Sequence, residues 1–293
     1  MKAKLKMITA MLIFGSIGIF VKNINLGSSQ IALFRSLIGT VFLIAAGLLI
    51  RKRFDFRTTK RNLLLLILSG IAIGLNWIFL FEAYRYTTIS NATLSYYFAP
   101  IFVIMLAPFV LKEKLTWKKV ASIIGAMTGL VLIIGENPEA AGTYDHVTGI
   151  FYGLLAAALY ASVIIMNKFI KNLSDYDTTV GQLATATLVL LPYVLLKEPV
   201  NMGNIGFTTG LLILIVGIIH TGLAYVLYFS AIKELEGHTI AVFSYIDPIS
   251  AVIMAAVFLG EGMTLMQIFG GIFILGSTYL SERKKKIPGT GKS

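Results

Sequence analysis

The sequence predicts an all-α membrane protein of ten transmembrane helices in two inverted five-helix repeats, with both termini cytoplasmic. Three observations carry this reading. The first is composition: 57% of the 293 residues are hydrophobic and mean hydropathy is +0.83, against roughly 45–50% apolar in soluble domains. The second is an internal repeat. Gly74-Leu75-Asn76-Trp77-Ile78-Phe79-Leu80-Phe81-Glu82-Ala83 is echoed 148 positions later by Gly222-Leu223-Ala224-Tyr225-Val226-Leu227-Tyr228-Phe229-Ser230-Ala231. The third is the placement of charge. With the N-terminus inside, 21 of the 25 lysines and arginines fall on the cytoplasmic side; Lys22, Arg85 and Lys197 fall outside, and Arg35 lies within a span. Such a bias fixes orientation.

A spanning helix needs about 20 apolar residues, and each predicted element has its own mark. Leu5–Val21 follows Lys2, Lys4 and Lys6; with no small-residue cleavage pattern and further spans behind it, it reads as a retained helix and not a signal peptide. Gln30–Ile50 carries Arg35 and stops at the basic run beginning at Arg51. Leu63–Ala83 holds the first copy of the strong repeat. Ile89–Leu111 contains Tyr97 and Pro100, and Leu115–Ile134 contains the GxxxG stretch Gly125–Gly129, which permits close helix approach within the chain or between subunits. Val147–Asn167 matches the first span at an offset of 146, through Ala10/Ala156, Ser16/Ser162 and Lys22/Lys168. Thr178–Leu196 is the counterpart of the second span. Thr208–Ile232 holds the second copy of the repeat. Thr239–Leu259 repeats the fourth span through Tyr245 and Pro248, and Met263–Leu280 closes the series. The polar stretch at residues 135–146 then divides a first repeat, 1–134, from a second, 147–293, which ends in a basic cytoplasmic tail. Five spans per half make the two halves enter the membrane in opposite senses.

The same data narrow the chemistry. The absence of cysteine excludes disulfides, thiolate metal sites and a cysteine nucleophile. The net charge of +11 sits between apolar segments and reads as a topology signal, so no nucleic-acid partner is expected. No HExxH, GxSxG, aspartate-rich or P-loop motif occurs. Neither a catalytic residue, a cofactor nor a metal site is expected.

Several stretches resemble the EamA-type members of the drug/metabolite transporter superfamily. They are Phe14-Gly15-Ser16 with Lys22, Leu33-Phe34-Arg35, Ala83-Tyr84-Arg85-Tyr86-Thr87-Thr88-Ile89-Ser90-Asn91-Ala92, Pro100, Leu111-Lys112-Glu113-Lys114-Leu115-Thr116, Asp247-Pro248 and Leu259-Gly260-Glu261-Gly262-Met263-Thr264. The resemblance covers almost the whole chain. It departs at Phe14, where tryptophan is more usual, and at Gly181-Gln182, which stands in the place of Phe34-Arg35. It implies ten helices, a central cavity and movement of small organic solutes, usually outward.

Asp247 is the sharpest candidate. A charge near mid-membrane is expensive and normally faces a cavity or a partner, and Pro248 beside it frees a backbone carbonyl. Glu82, one turn before Arg85, reads either as a surface pair or as a cavity acid. Arg35 is close enough to a span end to snorkel, and the resemblance gives it a structural or gating role. His220 is suited to proton coupling or to hydrogen-bonded packing. Trp77, Tyr97, Tyr160, Tyr225 and Tyr245, with Tyr96, are candidate cavity aromatics; Trp77/Tyr225 and Tyr97/Tyr245 hold matched repeat positions. Packing is the alternative for each. Glu113 and Glu261, at matched span ends, read as caps or turn formers.

The expectation is a multi-pass inner-membrane secondary transporter, exporter or exchanger, of a small organic metabolite such as an amino acid or organic cation. Its partners would be the solute, the bilayer and protons, with the oligomeric state open. A membrane enzyme acting on lipid-linked substrates and a non-transporting sensor are the alternatives.

Overall fold

The structure, a computed structural model, describes residues 2–51, 59–112, 114–135, 145–198, 205–235 and 237–282. Glu113, most of the 135–146 linker and the basic tail beyond residue 282 lie outside the described residues. What is described is helical, with no strand among it. The helices are α1 (Lys2–Lys22), α2 (Ser28–Leu49), α3 (Lys60–Tyr86), α4 (Ile89–Tyr96), α5 (Ala99–Val110), α6 (Trp117–Gly135), α7 (His146–Phe169), α8 (Asp175–Lys197), α9 (Phe207–Ile215), α10 (Ala224–Ile232), α11 (Gly237–Ser244), α12 (Ile246–Leu259) and α13 (Leu265–Glu282). A π-helical segment, Val216–Leu223, joins α9 to α10.

Among the described residues, eight stretches are long and apolar enough to cross a membrane: α1, α2, α3, Ile89–Val110, α7, α8, Phe207–Ile232 and Val242–Leu259. The apolar part of α13, Leu265–Leu280, is shorter. Outward faces carry exposed side chains such as Phe109, Leu188 and Val257. In water these would be association-prone patches; against lipid they are ordinary. The polar work is done at helix starts. Thr59, Thr88, Asp145 and Ser174 accept bonds from the N–H groups of Asn62, Asn91, Thr148 and Asp177 at 3.1–3.2 Å, satisfying donors that a helix start leaves open.

Three predicted spans are not continuous α-helices. The fourth breaks at Tyr97 and Phe98 and the ninth at Tyr245, two residues related by the 148-residue offset. Each break is followed within a few residues by proline, Pro100 or Pro248. Proline lacks an N–H and is tolerated in a first helical turn, where that donor has no intrahelical partner. The third irregularity is the π segment, for which the first half has no equivalent, α3 being regular throughout. The chain also turns alike after both broken spans. Lys112 (φ 55°) and Gly260 (φ 66°), again 148 apart, are both left-handed. Glycine takes that conformation without strain, whereas lysine does so at a cost of roughly 1–2 kcal/mol.

The strongest packing pairs between the two halves follow one rule. α3 packs on α7, and α10 on α1; α3 on α8, and the π segment on α2; α4 and α5 on α7, and α11 and α12 on α1. α2 meets α8, α4 meets α12 and α6 meets α13. Exchanging the first five predicted spans with the second five leaves this set of pairs unchanged. Contact is made at small residues, as van der Waals association of helices in lipid requires. A Cβ added to Gly129 on α6 would lie 2.5 Å from the carbonyl oxygen of Gly270 on α13, so the GxxxG stretch is used within the chain. A Cβ on Gly15 of α1 would lie 2.6 Å from the carbonyl oxygen of Asp247, drawing the broken helix pair α11/α12 against α1.

Candidate functional site

Between the two sets of helices lies a cavity of about 590 Å³. α1, α2 and α3 line it from the first half together with the α4/α5 break; α7, α10 and the α11/α12 break line it from the second. The breaks explain why polar groups reach it. A helix interrupted at mid-span turns side chains of both its pieces towards the axis, and Tyr97 and Tyr245 sit at the two interruptions.

Asp247 lies in the first turn of α12 and accepts a hydrogen bond from the Tyr97 hydroxyl at 2.6 Å. The two breaks are therefore joined by a carboxylate–phenol contact across the halves. Trp77, Tyr160, Tyr225 and Tyr245 also line the cavity. Ring contacts hold the aromatics in two groups: Tyr96 lies 6.1 Å from Tyr97 and 5.6 Å from Tyr160, and Phe14 lies 5.5 Å from Tyr225. Offset and edge-on ring contacts of this kind hold aromatic side chains in fixed positions.

Arg35 lines the same cavity. Its guanidinium carbon stands 4.0 Å from the Trp77 ring centroid, and its Nε–H donates to Thr221 Oγ1 at 2.9 Å. Thr221 belongs to the π segment and donates in turn to the Val216 carbonyl five residues back, at 3.1 Å. The side chain does not snorkel to an interface; it is buried, with 6% of its surface exposed.

Two candidates stand apart. His220 is buried outside the cavity lining, with Nε2 2.9 Å from Ser16 Oγ and its ring 4.7 Å from Phe20. Glu82 pairs with Arg85 at 3.2 Å, also away from the lining. Glu261 accepts from the Ile89 N–H at 2.7 Å and pairs with Lys22, so it caps α4 from another part of the chain. No group of three or more histidine, aspartate or glutamate side chains able to hold a metal occurs among the described residues.

Sequence reasoning missed Asn76, Tyr84, Thr93, Tyr228 and Ser244 as lining residues, and Thr221 as the anchor of Arg35. Asn76 stands beside Trp77 in the strong repeat, and its Nδ2 donates to the Ala156 carbonyl at 2.6 Å. A polar residue at that point of an apolar repeat was the available signal. Thr221 left none, because its partner is remote in sequence.

The model of the EamA-like transporter family matches residues 1–135 and again 147–282. The chain belongs to the EamA-like transporter family. Relatives of the chain include an uncharacterized transporter, YxxF, of Bacillus subtilis, 33% identical over 281 residues that cover 95% of this chain and 89% of the relative. Another, from Salmonella typhimurium, bears the name "Probable amino-acid metabolite efflux pump"; it is 29% identical over 233 residues, covering 76% of this chain and 77% of its own. A solved crystal structure superimposes with a TM-score of 0.64 at 19% identity, covering 96% of both chains, which shows a shared fold. The protein is thus a multi-pass membrane transporter of the EamA-like family.

Proposed function

We propose that the protein is a secondary transporter that moves a small organic metabolite, an amino acid or an organic cation, across the inner membrane by alternating access. The observation that carries this reading is the cavity, lined by matched residues of both halves: Trp77 with Tyr225, and Tyr97 with Tyr245. A site on a pseudo-symmetric interface is exposed to either side as one half rocks against the other. In this reading α6 and α13 also span, giving ten crossings in two inverted repeats, 1–134 and 147–293. The charge bias then places both termini in the cytoplasm. Asp247 and the aromatic residues hold the solute. Arg35 joins them from α2, while His220 and Glu82 support the surrounding helices. Outward movement is favoured by analogy with the named efflux relative. Counterflow in proteoliposomes tests the reading. Labelled solute should accumulate against unlabelled solute with no chemical change, and a panel of amino acids and organic cations that yields no exchange would defeat it.

A further inference from the structure

Arg35 presents an energetic problem that its neighbours do not solve. It lies two turns into α2, within a stretch long and apolar enough to cross the membrane, and is 94% buried since 6% of its surface is exposed. A cation in such a place normally has an anionic partner, because removing a charge from water costs several kcal/mol. The ion pairs among the described residues involve Lys6, Lys22 and Arg85, not Arg35. Its bonding is also one-sided. The guanidinium lies over the Trp77 ring with Phe81 further off, 5.8 Å to its centroid, and the Nε–H is taken by Thr221. Among the described residues neither Nη group has an acceptor, while the side chain lines the cavity. A guanidinium held over a ring and by its Nε–H, with its parallel N–H groups left over, is the geometry that grips a carboxylate with two bonds.

The second charged group on the cavity wall is Asp247. It is held by Tyr97 and makes no ion pair with Arg35. Among the described residues the cavity therefore contains one cation and one acid that do not neutralise each other directly. A ligand bearing both charges satisfies both groups. A simple organic cation leaves Arg35 without a partner, and a simple anion leaves Asp247 without one.

We infer that Arg35, oriented by Thr221 and Trp77, is the carboxylate-binding subsite of the cavity, with Asp247 receiving the ammonium group, so that the transported solute is a free α-amino acid and not an organic cation. The inference rests on the transport reading above and selects between its two solute classes.

The test is counterflow in proteoliposomes with the twenty common L-amino acids, each set beside its carboxamide, and with simple aliphatic and aromatic amines. At least one free amino acid should exchange ten or more times faster than its amide, which keeps the ammonium group and removes the carboxylate charge. In Arg35→Gln the acid should lose tenfold or more while the amide changes little. Arg35→Lys should recover part of the loss, because it restores charge without the fork. Thr221→Val keeps the charge and removes the anchor, so the acid's apparent affinity should fall several-fold with its maximal rate retained. If Arg35→Gln does not fold, the acid-to-amide ratio in the wild type and in Thr221→Val decides. A purely structural arginine would not move that ratio. Amides or amines exchanging as well as free acids would overturn the subsite while leaving transport intact. Exchange of nothing in the panel would overturn the transport reading and the subsite with it.

Discussion

One Glu261 carboxylate oxygen accepts the backbone N–H of Ile89 at 2.7 Å, and the other is paired with the Lys22 ammonium. A single acid after α12 thereby ties the start of α4 to the end of α1. An anion at a helix N-terminus is favoured by the open N–H groups and the helix dipole. The contact crosses between the halves, at the end of the bundle proposed to face outward, so opening that end requires it to part.

Glu261→Gln should loosen this junction. Hydrogen bonds to charged groups contribute about 1.5–3 kcal/mol, and the variant should melt earlier by an equivalent amount. A cysteine at Tyr84, which lines the cavity, should react faster with an impermeant thiol reagent added from outside when Glu261→Gln is present. Equal rates in the two backgrounds would show that the contact staples a loop and does not hold the mouth closed.

Asp247→Asn preserves shape and removes charge. An amide oxygen still accepts from Tyr97, so the α4/α12 contact should survive and thermal stability should change little. Transport should drop tenfold or more. Loss of solute binding along with transport marks a direct ion pair; retained exchange with lost pH-driven accumulation marks proton coupling. Wild-type transport would reduce the acid to a hydrogen-bonding element beside Pro248.

Trp77→Ala and Tyr225→Ala remove matched aromatics contributed by the two halves. Cation–π contacts contribute about 0.5–2 kcal/mol, so apparent affinity should weaken about 2- to 30-fold. Trp77→Ala should weaken it more, since it also removes the surface on which Arg35 lies. Equilibrium binding to folded, purified variants checks this, and unchanged affinity in both would assign the rings to packing.

Gly129→Leu tests the α6/α13 contact. The added side chain would meet the Gly270 backbone, and overpacking of this kind costs about 1–3 kcal/mol. Gly206→Ser is the control, because a Cβ there meets nothing within 4 Å. Thermal unfolding in detergent should separate the two; equal melting would mean that α6 and α13 do not depend on close approach.

Topology is tested by cysteines at Lys60 and Asp145. The charge bias places the first inside and the second outside, so an impermeant reagent applied to intact cells should label only the second. Labelling of both from one side would remove the inverted-repeat arrangement.

The sequence by itself determined the helical membrane class. Apolar runs of spanning length have no other use, and a backbone in lipid must satisfy its own hydrogen bonds. It also showed the duplication, because Tyr97/Tyr245 and Pro100/Pro248 are spaced alike, and the two breaks fall at those tyrosines. Asp247 stood out for the same kind of reason: charge in an apolar run is visible without coordinates. Only tertiary structure could decide what each polar residue faces. Arg35 and His220 are both single polar residues in apolar helices. One points into the cavity beside Trp77, while the other is closed off against Ser16 and Phe20. The difference is set by helix rotation and by the π segment, whose extra residue per turn carries Thr221 to Arg35 across 186 positions of chain. Hydropathy registers how polar a residue is, but its partner is fixed by contacts between helices remote in sequence, and those exist only once the halves have packed.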